Sequence, residues 1–111
     1  MFGNLDDKAL LREAASGCDW CFHVAASYRL WLRDYAPMYE TNVEGTRRVL
    51  EAAAEAGCSR IVHTSTVGCI GLPAGSNGTV VPSDETAPVS EAQMTNHYKR
   101  SKWRAEQAAL E

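Results

Sequence analysis

Apolar positions change their period from segment to segment along the chain, and the changes mark out its elements. Asp6 to Ser16 reads Asp-Asp-Lys-Ala-Leu-Leu-Arg-Glu-Ala-Ala-Ser, with its aliphatic positions spaced for one face of a short amphipathic helix. Asp6 or Asp7 stands near its start and Gly17 just past its end, the residue types that open and close helices. Asp19 to Ala26 follows, and the apolar run Trp20-Cys21-Phe22-His23-Val24-Ala25-Ala26 suits a strand covered on both faces. Pro37 opens a second helix, which runs through Leu50 and Ala54 and stops at Gly57. Arg60-Ile61-Val62-His63-Thr64-Ser65 predicts a second strand. Gly68 to Pro88 is rich in Gly, Pro, Ser and Asn and predicts a long loop. A third helix is expected from about Gln93 to Leu110. There are no internal repeats and no low-complexity tracts.

Two strands joined by a crossover of over thirty residues form a parallel βαβ unit, which puts the chain in the α/β class. In such sheets ligands sit beyond the carboxyl ends of the strands. Those ends are Ala25-Ala26-Ser27 and Ser65-Thr66, small or hydroxylic enough for a ligand to approach the backbone closely.

Length and charge narrow the picture. A chain of 111 residues has room for one small domain. A formal net charge of -3 gives no reason to expect a nucleic acid or an anionic membrane as partner. No apolar run approaches the roughly 20 residues of a membrane span. Met1 to Asp7 lacks the basic start and apolar core of a signal peptide, so the expected location is the reducing cytoplasm. Cys18-Asp19-Trp20-Cys21 is formally a C-x-x-C, but it leads into a strand, and Cys58 and Cys69 stand singly. Buried structural thiols are expected, with no metal. His23 and His63 lie within the strand runs and are expected to be satisfied core histidines.

Candidate chemistry concentrates in Tyr98-Lys99-Arg100-Ser101-Lys102. On a helix, Tyr98 and Lys102 lie one above the other on a single face. A free phenol has a pKa near 10, and a neighbouring ammonium stabilises the phenolate, as an acid/base tyrosine requires. The alternative is a surface helix with a half-buried tyrosine and a solvated lysine. Three other stretches bear on the choice: His23-Val24-Ala25-Ala26, Thr64-Ser65-Thr66 and Asn42-Val43-Glu44-Gly45-Thr46. Thr66 could also simply satisfy backbone groups at a strand end. Tyr28, Trp31 and Tyr35 form an aromatic group after the first strand, suited either to bordering a pocket or to helix packing.

The order and spacing of these four motifs resemble the extended short-chain dehydrogenases/reductases of the NAD-dependent epimerase/dehydratase kind. Ala25-Ala26-Ser27-Tyr28-Arg29-Leu30-Trp31 and His97-Tyr98-Lys99-Arg100-Ser101-Lys102 resemble most the hopanoid-associated sugar epimerases, which are similar to dihydroflavonol reductases. The resemblance implies a Rossmann-like, doubly wound parallel sheet, of which residues 1–111 would be the central part of an NAD(P)-binding domain. It implies NAD or NADP as cofactor and a catalytic set of Thr66, Tyr98 and Lys102. Tyr98 would exchange a proton with the substrate hydroxyl or carbonyl. Lys102 would support Tyr98 and hold the nicotinamide ribose, and Thr66, with Ser65 as fallback, would hydrogen-bond the reacting oxygen. Ala25, Ala26, Asn42 and Ser65 would line the cofactor side. The substrate would be a small molecule with a hydroxyl/carbonyl pair, on a sugar nucleotide or a flavonol- or steroid-like compound. A homodimer is compatible with this picture.

The chain departs from the family at its start. No Gly-x-x-Gly-x-x-Gly turn opens it, and Gly68, Gly71, Gly75 and Gly78 follow the second strand, the wrong context for cradling a pyrophosphate. The residue that separates NAD from NADP is absent with it. Asn4 stands where many relatives carry an aspartate. The expectation is a central segment of a longer enzyme, inactive by itself and exposing an apolar sheet edge. The competing expectations are a non-catalytic dinucleotide-sensing or partner-binding module on the same fold, and a functionless remnant.

Overall fold

The computed structural model describes residues 3–76 and 79–111. Met1, Phe2 and Gly78, to which readings above attach, lie outside them. Helix α1 (Lys8–Ala15) begins where the Asp7 carboxylate accepts the Leu10 N–H at 3.0 Å. It ends at Gly17, whose φ of 76° is the left-handed conformation that terminates helices. Strand β1 (Trp20–His23) pairs in parallel with β2 (Arg60–His63), in register from Trp20 opposite Arg60 to His23 opposite His63. Both strands are shorter than the sequence predicts. Pairing stops once the Thr64 N–H has closed onto the His23 carbonyl at 3.0 Å, and Val24–Ala26 and Thr64–Ser65 then run free as exit segments.

The crossover between the strands is helical from Ala36 to Glu55, with Pro37 in its first turn, but it is not uniform. A short α2 (Ala36–Tyr39) passes through a π-helical turn (Glu40–Glu44) into α3 (Gly45–Glu55). At the junction the Gly45 N–H bonds the Glu40 carbonyl five residues back, so the turn holds one residue more than an α-helical turn does. Gly57, with φ 88°, closes this helix as Gly17 closes α1. After β2 come a 3₁₀ turn (Val67–Cys69) and a small antiparallel hairpin of β3 (Ala74–Ser76) and β4 (Thr79–Val81). The hairpin lies within the stretch expected to be loop. A second 3₁₀ turn (Glu91–Gln93) precedes α4 (His97–Leu110), whose start at His97 rather than Gln93 is set by Asn96, which accepts the Lys99 N–H at 2.8 Å.

The sheet is covered on one face. Cys21, His23, Ile61 and His63 point toward the helices, whereas Trp20, 54% exposed, and Phe22, 61% exposed, stand on a face that no described element covers. The expectation of a strand covered on both faces is therefore corrected: an apolar strand run records what a strand tolerates, not which of its covering layers is at hand. The core lies between the helices, where Met38, Val49, Ala52, Ala53, Ala105 and Ala108 are buried. Alanines on both α3 and α4 let the two helix backbones approach closely, which holds α4 against the crossover.

Candidate active site

Tyr98 lies in the first turn of α4, and Lys102 lies one turn later on the same face. Lys102 is not solvated: it is 3% exposed, and its ammonium donates to the Thr64 carbonyl at 2.7 Å. The helix carrying Tyr98 is thereby fastened to the exit of β2, where Thr64, Ser65 and Thr66 follow in sequence. Burial pushes the Lys102 pKa below the usual lysine range, with Cys69 and Glu106 opposing the shift.

Thr66 caps the 3₁₀ turn, its hydroxyl oxygen accepting the Gly68 N–H at 3.3 Å. That bond uses a lone pair and leaves the hydroxyl proton free to donate, so the capping role and a role toward a ligand oxygen coexist. Thr66 and Tyr98 line the same cleft of about 300 Å³, together with the apolar Val67, Ile70, Leu72 and Met94. The Tyr98 hydroxyl bonds none of the described residues. Ser65, the neighbouring hydroxyl, is turned elsewhere and donates to the Glu106 carboxylate on α4.

Asn42 occupies the π turn and is 1% exposed. Its side-chain oxygen accepts the Ser27 N–H at 2.6 Å, and its amide donates to the Ser27 carbonyl and to Ser101 Oγ, both at 2.9 Å. Both amide N–H groups and the oxygen are engaged, and the orientation is fixed because only the oxygen can receive the Ser27 N–H. Ser101 passes the connection on, donating to the Tyr98 carbonyl at 2.8 Å. Asn42 thus links the exit of β1 to the first turn of α4, although it does not face solvent or the open cleft. Of the two exit alanines, Ala26 is half-buried and lines a cavity of about 540 Å³ with Ser27, Tyr28 and Met38, while Ala25 is exposed.

Beneath the site lie two histidines with ring centroids 5.3 Å apart. Thr46 Oγ1 donates its only proton to the Asn42 carbonyl at 2.7 Å, so at 2.9 Å it is His23 Nε2–H that donates to Thr46. Burial, with the nearby His63 and Lys102, lowers the His23 pKa to about 4 and keeps the ring neutral. His63 departs from the expectation of a satisfied core histidine, because neither of its buried ring nitrogens has a hydrogen-bond partner among the described residues. Burial and Lys102 lower its pKa too.

The aromatic group after β1 divides. Tyr35 stacks on His97 at 3.9 Å and Tyr39 hydrogen-bonds His97 Nδ1 at 3.0 Å, anchoring the start of α4, whereas Tyr28 and Trp31 are exposed. The cysteines are all free: Cys69 is buried, Cys21 and Cys58 are half-buried, and Cys18 is exposed, so burial describes only part of the set. No helix among the described residues is long and apolar enough to cross a membrane.

Sequence reasoning assigned no role to Ser101, Thr46 or Glu106. For Ser101 and Glu106 a signal was present, since they lie three residues after Tyr98 and four after Lys102, on the faces those residues share. For Thr46 the signal was its place four residues after Asn42.

Comparison with known proteins places the fold. The profile of the NAD-binding family described as male sterility protein matches residues 5–111. A Synechocystis sp. protein provisionally named dihydroflavonol 4-reductase is 41% identical over 108 residues, which are 97% of this chain and 30% of that protein. The crystal structure of gox2253 superposes with a TM-score of 0.83 at 50% identity, covering 97% of this chain and 32% of that one. The Bordetella bronchiseptica enzyme WbmG, solved in complex with NAD and UDP, gives a TM-score of 0.77 at 29% identity, with 99% of this chain and 33% of that one covered. The chain therefore spans about a third of the length of the proteins it matches. The α/β fold with its parallel sheet is shared with the solved structures, and the chain belongs to the NAD-binding male sterility protein family, within the extended short-chain dehydrogenases/reductases.

Proposed function

We propose that these residues carry the acid/base half of an NAD(P)-dependent oxidoreductase or epimerase site, as the central part of a longer enzyme. The observation that carries the reading is the buried Lys102, one turn beyond Tyr98 and bonded to the Thr64 carbonyl, which brings the helix of the acid/base pair against Thr66. In this reading Tyr98 gives its phenolic proton to a substrate carbonyl oxygen, or takes one from a hydroxyl. Thr66 donates a hydrogen bond to the same oxygen and Lys102 supplies positive charge beside the phenol.

The residues present fit a dinucleotide. An ammonium has three N–H donors, and Lys102 spends one on Thr64, so donors remain for the hydroxyls of a nicotinamide ribose. Ala26, with the exposed Ala25 and the Asn42-held backbone of Ser27, would form the wall beside it. Hydride exchange is the chemistry the dinucleotide supplies when bound. The sequence contains no Gly-x-x-Gly-x-x-Gly turn for the pyrophosphate, which this reading assigns to another part of the enzyme. The apolar lining shared by Tyr98 and Thr66 supports a flavonol- or steroid-like substrate over a sugar nucleotide.

The test is Tyr98→Phe in the full-length enzyme, assayed with NADH or NADPH against an alicyclic or aromatic ketone panel and nucleotide sugars. Turnover is expected to fall at least about 10²-fold, with dinucleotide affinity retained. Net consumption of reduced cofactor marks a reductase, and its absence alongside product formation marks an epimerase. Undiminished turnover in Tyr98→Phe would remove the reading.

A further inference from the structure

We propose that Glu106 and Ser65 act as a positioning pair for Lys102: the carboxylate supplies a counter-charge, and the hydroxyl holds that carboxylate off the ammonium so that its donors stay free. The inference rests on the reading of Lys102 as a ribose-binding residue.

Titratable groups act on Lys102 from both strands, from the 3₁₀ turn after β2 and from α4 itself. His23 comes from β1, His63 from β2, Cys69 from the 3₁₀ turn after β2, and Glu106 from α4 itself. Three of the four are uncharged near neutral pH. Burial lowers both histidines, and burial also raises the Cys69 thiol, so none of these is an ion there. Glu106 is left as the one carboxylate of the set, and a buried ammonium without a counter-charge tends to lose its proton.

Position alone would bring Glu106 too close. A lysine and a glutamate four residues apart on a helix are neighbours that readily pair. Such a pair would spend the ammonium donors on the carboxylate instead of on a ligand. Here Lys102 makes no ion pair with any described residue, and its bond goes to the Thr64 carbonyl. The Glu106 carboxylate is occupied by Ser65, which reaches it from the exit of β2. Thr64 and Ser65 thus separate two partners that helix geometry would join, the carbonyl taking the ammonium and the hydroxyl taking the carboxylate. The field of Glu106 still acts on Lys102 across the gap.

Two substitutions separate this from a merely structural contact, because they push in opposite directions. Glu106→Gln keeps the size and an acceptor for Ser65 but removes the charge. Ser65→Ala keeps the charge but frees it to pair with Lys102. The readout is the ammonium titration of Lys102 in the full-length enzyme, followed by NMR of isotope-labelled lysine, with the Lys102 signal assigned by its loss in Lys102→Arg. Glu106→Gln is expected to lower the Lys102 pKa by about one unit and Ser65→Ala to raise it. In the full-length enzyme, Ser65→Ala is further expected to raise KM for the dinucleotide more than it lowers kcat. Failure of either substitution to move the titration, or movement in the same direction by both, overturns the proposal. These titrations do not depend on turnover, so they stand or fall apart from the Tyr98→Phe result.

Discussion

His23 shows how one buried residue couples stability to pH. Its ring is held neutral by burial, with a folded-state pKa of about 4 against an ordinary value of 6.5. The unfolded chain therefore binds a proton that the folded chain refuses, and stability falls as pH drops from 6.5 toward 4. The full effect is at most about 3 kcal/mol, and it is constant above the unfolded value. Urea midpoints measured across that window should decline with acid in the parent and decline less in His23→Gln, which cannot titrate. An equal decline in both would assign the acid sensitivity elsewhere. At this scale the sequence was readable where partners are near in the chain. Tyr98 and Lys102 could be paired from their spacing because one helix turn relates them. Asn42 and Ser101 could not, since the bond joining them spans 59 residues and depends on how α4 docks. His63 was misjudged for the same reason, because its neighbours across the helices offer its ring nitrogens nothing.

Among the elements, the π turn is where local pattern and tertiary demand part. The hydrophobic spacing of the crossover reads as one continuous helix, and nothing in it marks Glu40–Glu44 as wider than its flanks. The widened turn is packed against α4 and presents Asn42 to Ser27 and Ser101. Asn42→Leu, of similar size, removes three hydrogen bonds at once and leaves the Ser27 N–H without its partner. A loss of about 2 kcal/mol or more in urea unfolding is expected, with helix content retained by circular dichroism. A neutral substitution would mean that the amide network is not what joins the β1 exit to α4. The hairpin of β3 and β4, by contrast, was hidden by composition. A stretch rich in Gly, Pro and Ser reads as loop even when it contains a hairpin of three-residue strands, because strands so short have no period to detect.

For the molecule as a whole, the parallel βαβ arrangement was legible, since two apolar runs separated by a long helical segment have few other ways to pair. The distribution of covering layers was not. The three helices α1, α3 and α4 take one side of the sheet, and β1 and β2 pair only with each other among the described residues. The uncovered side carries Trp20, Phe22 and Val62, with the Arg60 guanidinium 5.3 Å from the Trp20 ring centre. Apolar surface of this kind, beside unpaired strand edges, favours association. The 111-residue chain by itself is expected to sediment with a concentration-dependent rise in mass, and Phe22→Lys to reduce it. A monomer at every concentration would count against this. Trp20 also turns the same face into an optical gauge. An indole in water emits at longer wavelength than one in an apolar contact, so with Trp31 and Trp103 replaced by Phe, whatever settles on the sheet announces itself as a blue shift in the light from Trp20.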